Sequence, residues 1–227
     1  MARRVLHDEY FKKAKAEGYL ARSAYKLKEI NERHRILRSG SHVLDLGCAP
    51  GSWMQVARQI VGPKGLVLGI DLTEVDPRVV RTMGENVRAV QGDAWEVDPR
   101  EIVDYAGGPF DTLISDMAPN TSGHGDHERS VRLCHRVLDL APDVLHEGGH
   151  LAMKVFEGGM FKALLERARG MFHDAKGFKP RASRNVSVET YVIAFRLRES
   201  RAGRAEPANA ADARASTPSG EPGGARD

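Results

Sequence analysis

At 227 residues the chain has the length of one domain with extensions, and a hydrophobic content of 41% can build a single sizeable core. No run of about 18 apolar residues occurs, which argues against a transmembrane helix, and the start MARRVLHDEYFKKAKAEG has no apolar stretch of the kind a signal peptide needs. Cys48 and Cys134 form no disulfide framework and have no metal-ligand companions, so both read as small packing residues of a cytoplasmic protein.

The net charge of +3 conceals an uneven distribution. Residues 1–40 carry 11 Lys/Arg against 5 Asp/Glu, residues 41–175 carry 13 against 20, and residues 176–198 carry 6 against 1. An acidic centre between two basic flanks suits a polyanion gripped by the flanks.

Along the chain, residues 8–32 place Tyr10, Ala14, Leu20, Ala24, Leu27 and Ile30 near helical spacing, with a break at Gly18. Short apolar runs then alternate with helical patterns. HVLDL (42–46), GLVLGID (65–71), VRAVQ (87–91), FDTLISD (110–116) and GHLAMKVF (149–156) predict buried strands. SWMQVARQIV (52–61), ERSVRLCHRVLDLAPDVL (128–145) and MFKALLERARGMF (160–172) predict helices. This alternation implies βαβ units and a mostly parallel sheet covered on both faces. KGFKPRAS (176–183) and VETYVIAFRL (188–197) have no helical pattern between them and predict an antiparallel edge hairpin. Met153, Phe156, Phe161 and Phe172 read as core. From 199 the chain is Ala, Gly, Pro and Arg with almost no large apolar group, a composition that predicts disorder. The expected organisation is a basic helical extension (1–40), a catalytic domain (41–198) and a tail (199–227).

VLDLGCAPGSW (43–53) is a strand, a glycine-containing loop and a helix start, in which Gly47 and Gly51 let the backbone approach a ligand. The loop lacks the G-x-G-x-x-G spacing of a dinucleotide site, and Pro50 removes a donor that a pyrophosphate would want, which argues against an oxidoreductase. A cofactor with an adenosine and a carboxylate but no phosphate suits it better. Asp71 closes the second strand, where an acid can accept both ribose hydroxyls; Asp93 follows the third, within reach of an adenine; Asp116 ends the fourth. Three acids at the carboxyl ends of parallel strands mark the edge where open α/β sheets bind ligands. This is the architecture expected for S-adenosylmethionine. His124 and His127 have a metal-like spacing but no third ligand, so no metal is expected and the loop SGHGDHERS reads as a mobile, substrate-side segment.

RSAYKLKEI, DLGCAPGSW, SDMAPN, MKVF and VETYVIA, in this order, resemble the FtsJ-type ribosomal RNA large-subunit methyltransferases over residues 5–197. The resemblance implies a Rossmann-like class I methyltransferase fold with a seven-stranded sheet, S-adenosylmethionine as donor and a ribose 2′-hydroxyl as acceptor. It implies a uridine of 23S ribosomal RNA in the large ribosomal subunit, and a chain acting as a monomer. Lys26, Asp116, Lys154 and Glu189 match the family's Lys-Asp-Lys-Glu set, and Gly51, Trp53, Asp71, Asp93 and Asp116 its cofactor positions. Ser52 departs from a frequent glycine. The chemistry agrees: a ribose hydroxyl is a weak nucleophile whose proton must be accepted or whose oxygen must be oriented. A lysine serves that role when burial and nearby cations favour its neutral form. Lys154 is the expected acceptor, oriented by Asp116, with Glu189 orienting a lysine or the ribose. The rivals are methylation of transfer RNA or an mRNA cap, and an RNA-binding assembly factor without turnover.

Overall fold

The computed structural model describes residues 2–119, 125–183 and 187–199, so His124, Arg184 and the tail from 200 lie outside the described residues. The elements in order are α1 (Ala2–Ala16), α2 (Ala24–His34), β1 (His42–Leu46), α3 (Ser52–Val61), β2 (Leu66–Asp71), α4 (Pro77–Met83) and β3 (Val87–Gln91). There follow α5 (Pro99–Ala106), β4 (Phe110–Ser115), α6 (Asp126–Val144), β5 (Leu145–Phe156), α7 (Phe161–Met171), β6 (Phe172–Phe178) and β7 (Glu189–Leu197). The strands form one seven-stranded sheet in the order β3-β2-β1-β4-β5-β7-β6. β1 to β5 pair in parallel, and β7 runs antiparallel to both β5 and β6. The chain winds from β1 outward to β3, then crosses to β4 and winds the other way, so a crevice opens between the carboxyl ends of β1 and β4.

Strand alternation assigns each side chain to one of two cores. Leu44, Leu46, Leu113, Met153 and Val192 pack against α5, α6 and α7 on one face. Val43, Ile114, Ala152, Tyr191 and Ile193 pack against α2 and α3 on the other, where Leu27, Ile30, Trp53 and Met54 are buried. Met153, Phe156 and Phe172 are buried and Phe161 packs against the first core. Among the described residues no helix is long and apolar enough to cross a membrane.

Several elements differ from the sequence expectation. The helices α4 and α5 are too short for an amphipathic period to show in an 11-residue window. Their signal is instead the repeated Asp-Pro-Arg. Asp76 and Asp98 each accept a hydrogen bond at 2.8 Å from the backbone N–H of Arg78 and Arg100, and the following proline occupies the first helical turn. β6 starts at Phe172 directly after α7, not at residue 176. Phe172 and Ala175 both face the core, and the strand ends before Pro180, which has no N–H to offer a ladder. Asp126 and His127, expected in a mobile loop ahead of a helix beginning at residue 128, already belong to the first turn of α6. His127 is pinned there: its Nδ1 lies 2.7 Å from the Phe156 carbonyl oxygen and its Nε2 accepts from the Met160 N–H at 3.1 Å.

Candidate active site

At the β1–β4 crevice the loop after β1 turns back under the loop after β4. Gly47 has φ +78°, and a Cβ there would fall 2.9 Å from the Met117 backbone nitrogen, so only glycine lets the two loops close. Gly51, at φ +109°, turns the chain into α3. The cavity above is about 480 Å³ and is lined by Gly47, Ala49, Asp71, Asp93 and Asp116 among others.

Its acids are held differently. Asp71 Oδ2 accepts from the Ala49 N–H at 2.9 Å and Oδ1 from the Thr73 N–H at 2.8 Å, which fixes the carboxylate and leaves each oxygen a lone pair. Asp93 Oδ1 accepts from the Trp95 N–H at 2.9 Å. Asp45, two residues before Gly47, is fully buried, and neither of its oxygens has a protein partner among the described residues. Burial, reinforced by the Asp116 and Asp71 charges, pushes its carboxyl well above the usual range. The sequence reading missed this residue. Its signal was an acid inside the otherwise apolar HVLDL.

The lysines gather at the other end of the crevice. By strand parity Lys154 on β5 and Glu189 and Tyr191 on β7 project to the face covered by α2, and β5–β7 register sets Lys154 opposite Tyr191. Lys154 is 8% exposed; its Nζ lies 3.1 Å from Asp116 Oδ1 and donates to the Asp116 carbonyl oxygen at 2.5 Å. The Tyr191 hydroxyl donates to the same Oδ1 at 2.9 Å. Burial, then the Asp116 and Glu189 charges, drive the phenol pKa far upward, so it stays a donor. Lys26 on α2, 5% exposed, places Nζ 2.8 Å from Glu189 Oε2. Burial pushes the Glu189 carboxyl up, yet the Lys26 charge and hydrogen bond, with Lys154 adding, hold it below its ordinary value. Two buried lysine–carboxylate pairs thus stand side by side at the strand ends, and Asp116 belongs to both the lysine cluster and the cavity wall.

Of the expected cofactor residues, Gly51 and Trp53 are absent from the cavity lining, and Trp53 turns inward. Its indole is 2% exposed, donates through Nε1 to the Ser23 carbonyl oxygen at 2.9 Å, and stacks on Tyr191 with centroids 5.8 Å apart. It ties α2, α3 and β7 together behind the lysines and does not line the cavity. In the basic N-terminal flank, Lys13 lies 5.0 Å from the Tyr25 ring centroid and Lys28 5.1 Å from that of Tyr19.

Residues 19–197 match the family model described as FtsJ-like methyltransferase. The chain is 48% identical over 198 residues to "Ribosomal RNA large subunit methyltransferase E" of Syntrophobacter fumaroxidans, covering 86% of this chain and 98% of that protein. It is 45% identical over 193 residues to the protein of the same name from Methanothrix thermoacetophila, covering 84% and 72%. Among solved structures, a protein assigned as a ribosomal RNA methyltransferase from Plasmodium falciparum superposes with TM-score 0.67 at 27% identity, over 79% of this chain and 98% of that one. A fibrillarin–Nop5p complex shares the fold, with TM-score 0.58 at 20% identity over 77% and 83%. With a cavity at the β1–β4 crevice, buried lysines beside it and relatives nearly co-extensive with it, the chain belongs to the FtsJ-like methyltransferase family.

Proposed function

We propose that this methyltransferase takes its methyl group from S-adenosylmethionine and delivers it to a ribose 2′-hydroxyl of RNA, at a uridine of 23S ribosomal RNA in the large ribosomal subunit. The cavity residues fit that donor. Asp71 is pre-positioned by two backbone N–H groups to accept ribose hydroxyls, and Asp93 stands at the third strand end for an adenine. The close approach of Gly47 to Met117 keeps side chains out of that wall, and the Asp116 carboxylate on the lining suits a ligand carrying an ammonium and a sulfonium. Among the described residues the lining offers no cluster of basic groups for a pyrophosphate, which favours this donor over a dinucleotide.

When bound, the donor would supply an electrophilic methyl group, with Asp71, Asp93 and Asp116 as residues that would hold it. The remaining work falls to the chain's own residues. Lys154 Nζ is placed to orient the hydroxyl and, in its neutral amine form, to take its proton, and Asp116 with Tyr191 fixes that nitrogen. Lys26, held by Glu189, is the second cation and is placed to position the ribose or its phosphate. Burial of both lysines keeps bulk water from competing for the proton.

The observation that carries this reading is the Lys154–Asp116 pair at the lip of the donor cavity, with the Lys26–Glu189 pair on the same face. A binding module has no need of two buried lysines, each paired with a half-buried carboxylate, at one strand end. Ribose methylation mapped across total RNA, from cells with and without the gene, tests it. The reading expects one 23S ribosomal RNA uridine to lose its 2′-O-methyl group. A transfer RNA or cap position losing it instead would overturn the substrate, and no change at any ribose would overturn the activity.

A further inference from the structure

A second cavity, of about 520 Å³, opens beside the donor cavity. The two share Leu72, Trp95, Ala118 and Leu133, while Pro119, Arg129 and Arg132 line the second alone. Its volume lies in the range of small-molecule sites, and its chemistry is opposite to its neighbour's. The donor cavity presents Asp71, Asp93 and Asp116; the described lining of the second presents two guanidinium groups and no carboxylate.

Two further features need an explanation. Trp95 is 47% exposed and Leu72 66% exposed, side by side at the ends of the strands, whereas the other tryptophan of the chain is buried in the core. Arg129 and Arg132 are three residues apart on α6, so they rise on one face of the helix. Arg129 is paired with Asp126. Arg132 is exposed and has no hydrogen bond or ion pair among the described residues. An exposed indole face beside arginines, in a stretch of chain that is otherwise acidic, is the combination that holds a nucleotide: the ring stacks a base and the guanidinium takes its phosphate.

We propose that this cavity receives a nucleotide of the substrate RNA, its base stacked on Trp95 and its phosphate held by Arg132 with Arg129. The inference rests on the RNA reading above and adds a contact remote from the catalytic lysines. The donor itself is a poor occupant, because S-adenosylmethionine carries no phosphate for the arginines and its adenosine already has Asp71 and Asp93. The two cavities meet at Trp95, so a strand crossing the mouth of the donor cavity passes directly over the indole.

The chain has 2 tryptophans, of which Trp53 is 2% exposed, so emission quenched by acrylamide reports Trp95. The full chain, saturated with S-adenosylhomocysteine, is titrated with a single-stranded oligouridylate RNA. RNA is expected to shield the quenchable emission, and Trp95→Phe is expected to abolish that response. In parallel, Arg132→Glu is assayed on large ribosomal subunits from cells lacking the gene. Its KM for subunits is expected to rise roughly 10-fold, within the range of one lost stacking-and-phosphate contact, while its donor Kd stays within about twofold of wild type. Unchanged acrylamide access at saturating RNA, or an unchanged KM in Arg132→Glu, would overturn the proposal. So would a weakened donor Kd in Arg132→Glu, which would make the cavity an extension of the donor site. The functional reading is judged separately, by whether the wild-type chain methylates the same subunits.

Discussion

Asp45 and Asp116 stand on neighbouring strands, face the same side of the sheet, and are surrounded in opposite ways. Asp116 receives the Lys154 ammonium and the Tyr191 hydroxyl on one oxygen, which leaves its second oxygen for the cavity. Among the described residues Asp45 receives no hydrogen bond, and burial pushes its carboxyl well above the usual range. The difference teaches that burial acts on an acid through the partners it is given: donors meet Asp116, and their lack leaves the Asp45 carboxyl pushed well above the usual range. An acid supplied with donors keeps its charge under burial, whereas an acid left without them gives it up. Asp71 lies between the extremes, held by backbone N–H groups and by no cation.

Removing the paired acid has the largest expected effect. Asp116→Ala takes from Lys154 its counter-ion while leaving the ammonium buried, and breaking such a pair typically destabilises by about 3–5 kcal/mol. Turnover is expected to fall by at least roughly 10²-fold, with donor affinity falling as well. Calorimetry showing normal donor binding in a folded Asp116→Ala protein would separate Asp116 from the donor and undo its dual assignment.

An effect on one function alone is expected at the intermediate acid. Asp71→Ala loses a charged acceptor for the donor's ribose, worth about 1.5–3 kcal/mol of affinity, and methylates normally once donor is saturating. A rate defect that persists at saturating donor would place Asp71 in the lysine cluster instead.

The smallest effect is expected at the orphan. The folded-state pKa of Asp45 is raised, so its contribution is intact below the ordinary carboxylate range and is lost as pH rises toward the elevated value. Asp45→Asn keeps the shape without the ionisation. It should raise the melting temperature of the donor-free protein as pH rises beyond the ordinary carboxylate range, by about 2–4 °C for each kcal/mol relieved in a chain of this size, with the gain vanishing below that range. A gain independent of pH would show that the wild-type acid is not the strained group.

Much of this site was legible in the sequence because strand ends are legible. Asp71, Asp93 and Asp116 each terminate an apolar run, and parallel strands bring their carboxyl ends to one edge without further information. Lys154 was visible for the same reason, as a cation in the last turns of an apolar strand. The contacts that give these residues their properties were not visible. Lys26 and Glu189 are 163 residues apart, and only the packing of α2 against β7 brings them within 2.8 Å. That Tyr191 reaches Asp116, and that Trp53 turns inward instead of toward the cavity, depends on strand register and on the interface behind it. Asp45 looked like any strand residue, since what distinguishes it is a lack of partners, and a sequence does not display an absence.

The central claim is that Lys154, fixed by Asp116, handles the proton of the attacking hydroxyl. Its most direct test is the single-turnover rate of Lys154→Ala on large ribosomal subunits lacking the modification, at saturating donor, with the donor Kd measured on the same protein. The account predicts a rate lower by roughly 10²–10⁴-fold with a donor Kd close to wild type, because the lysine serves the ribose and not the adenosine. A near-normal single-turnover rate would contradict it and transfer the role to Lys26.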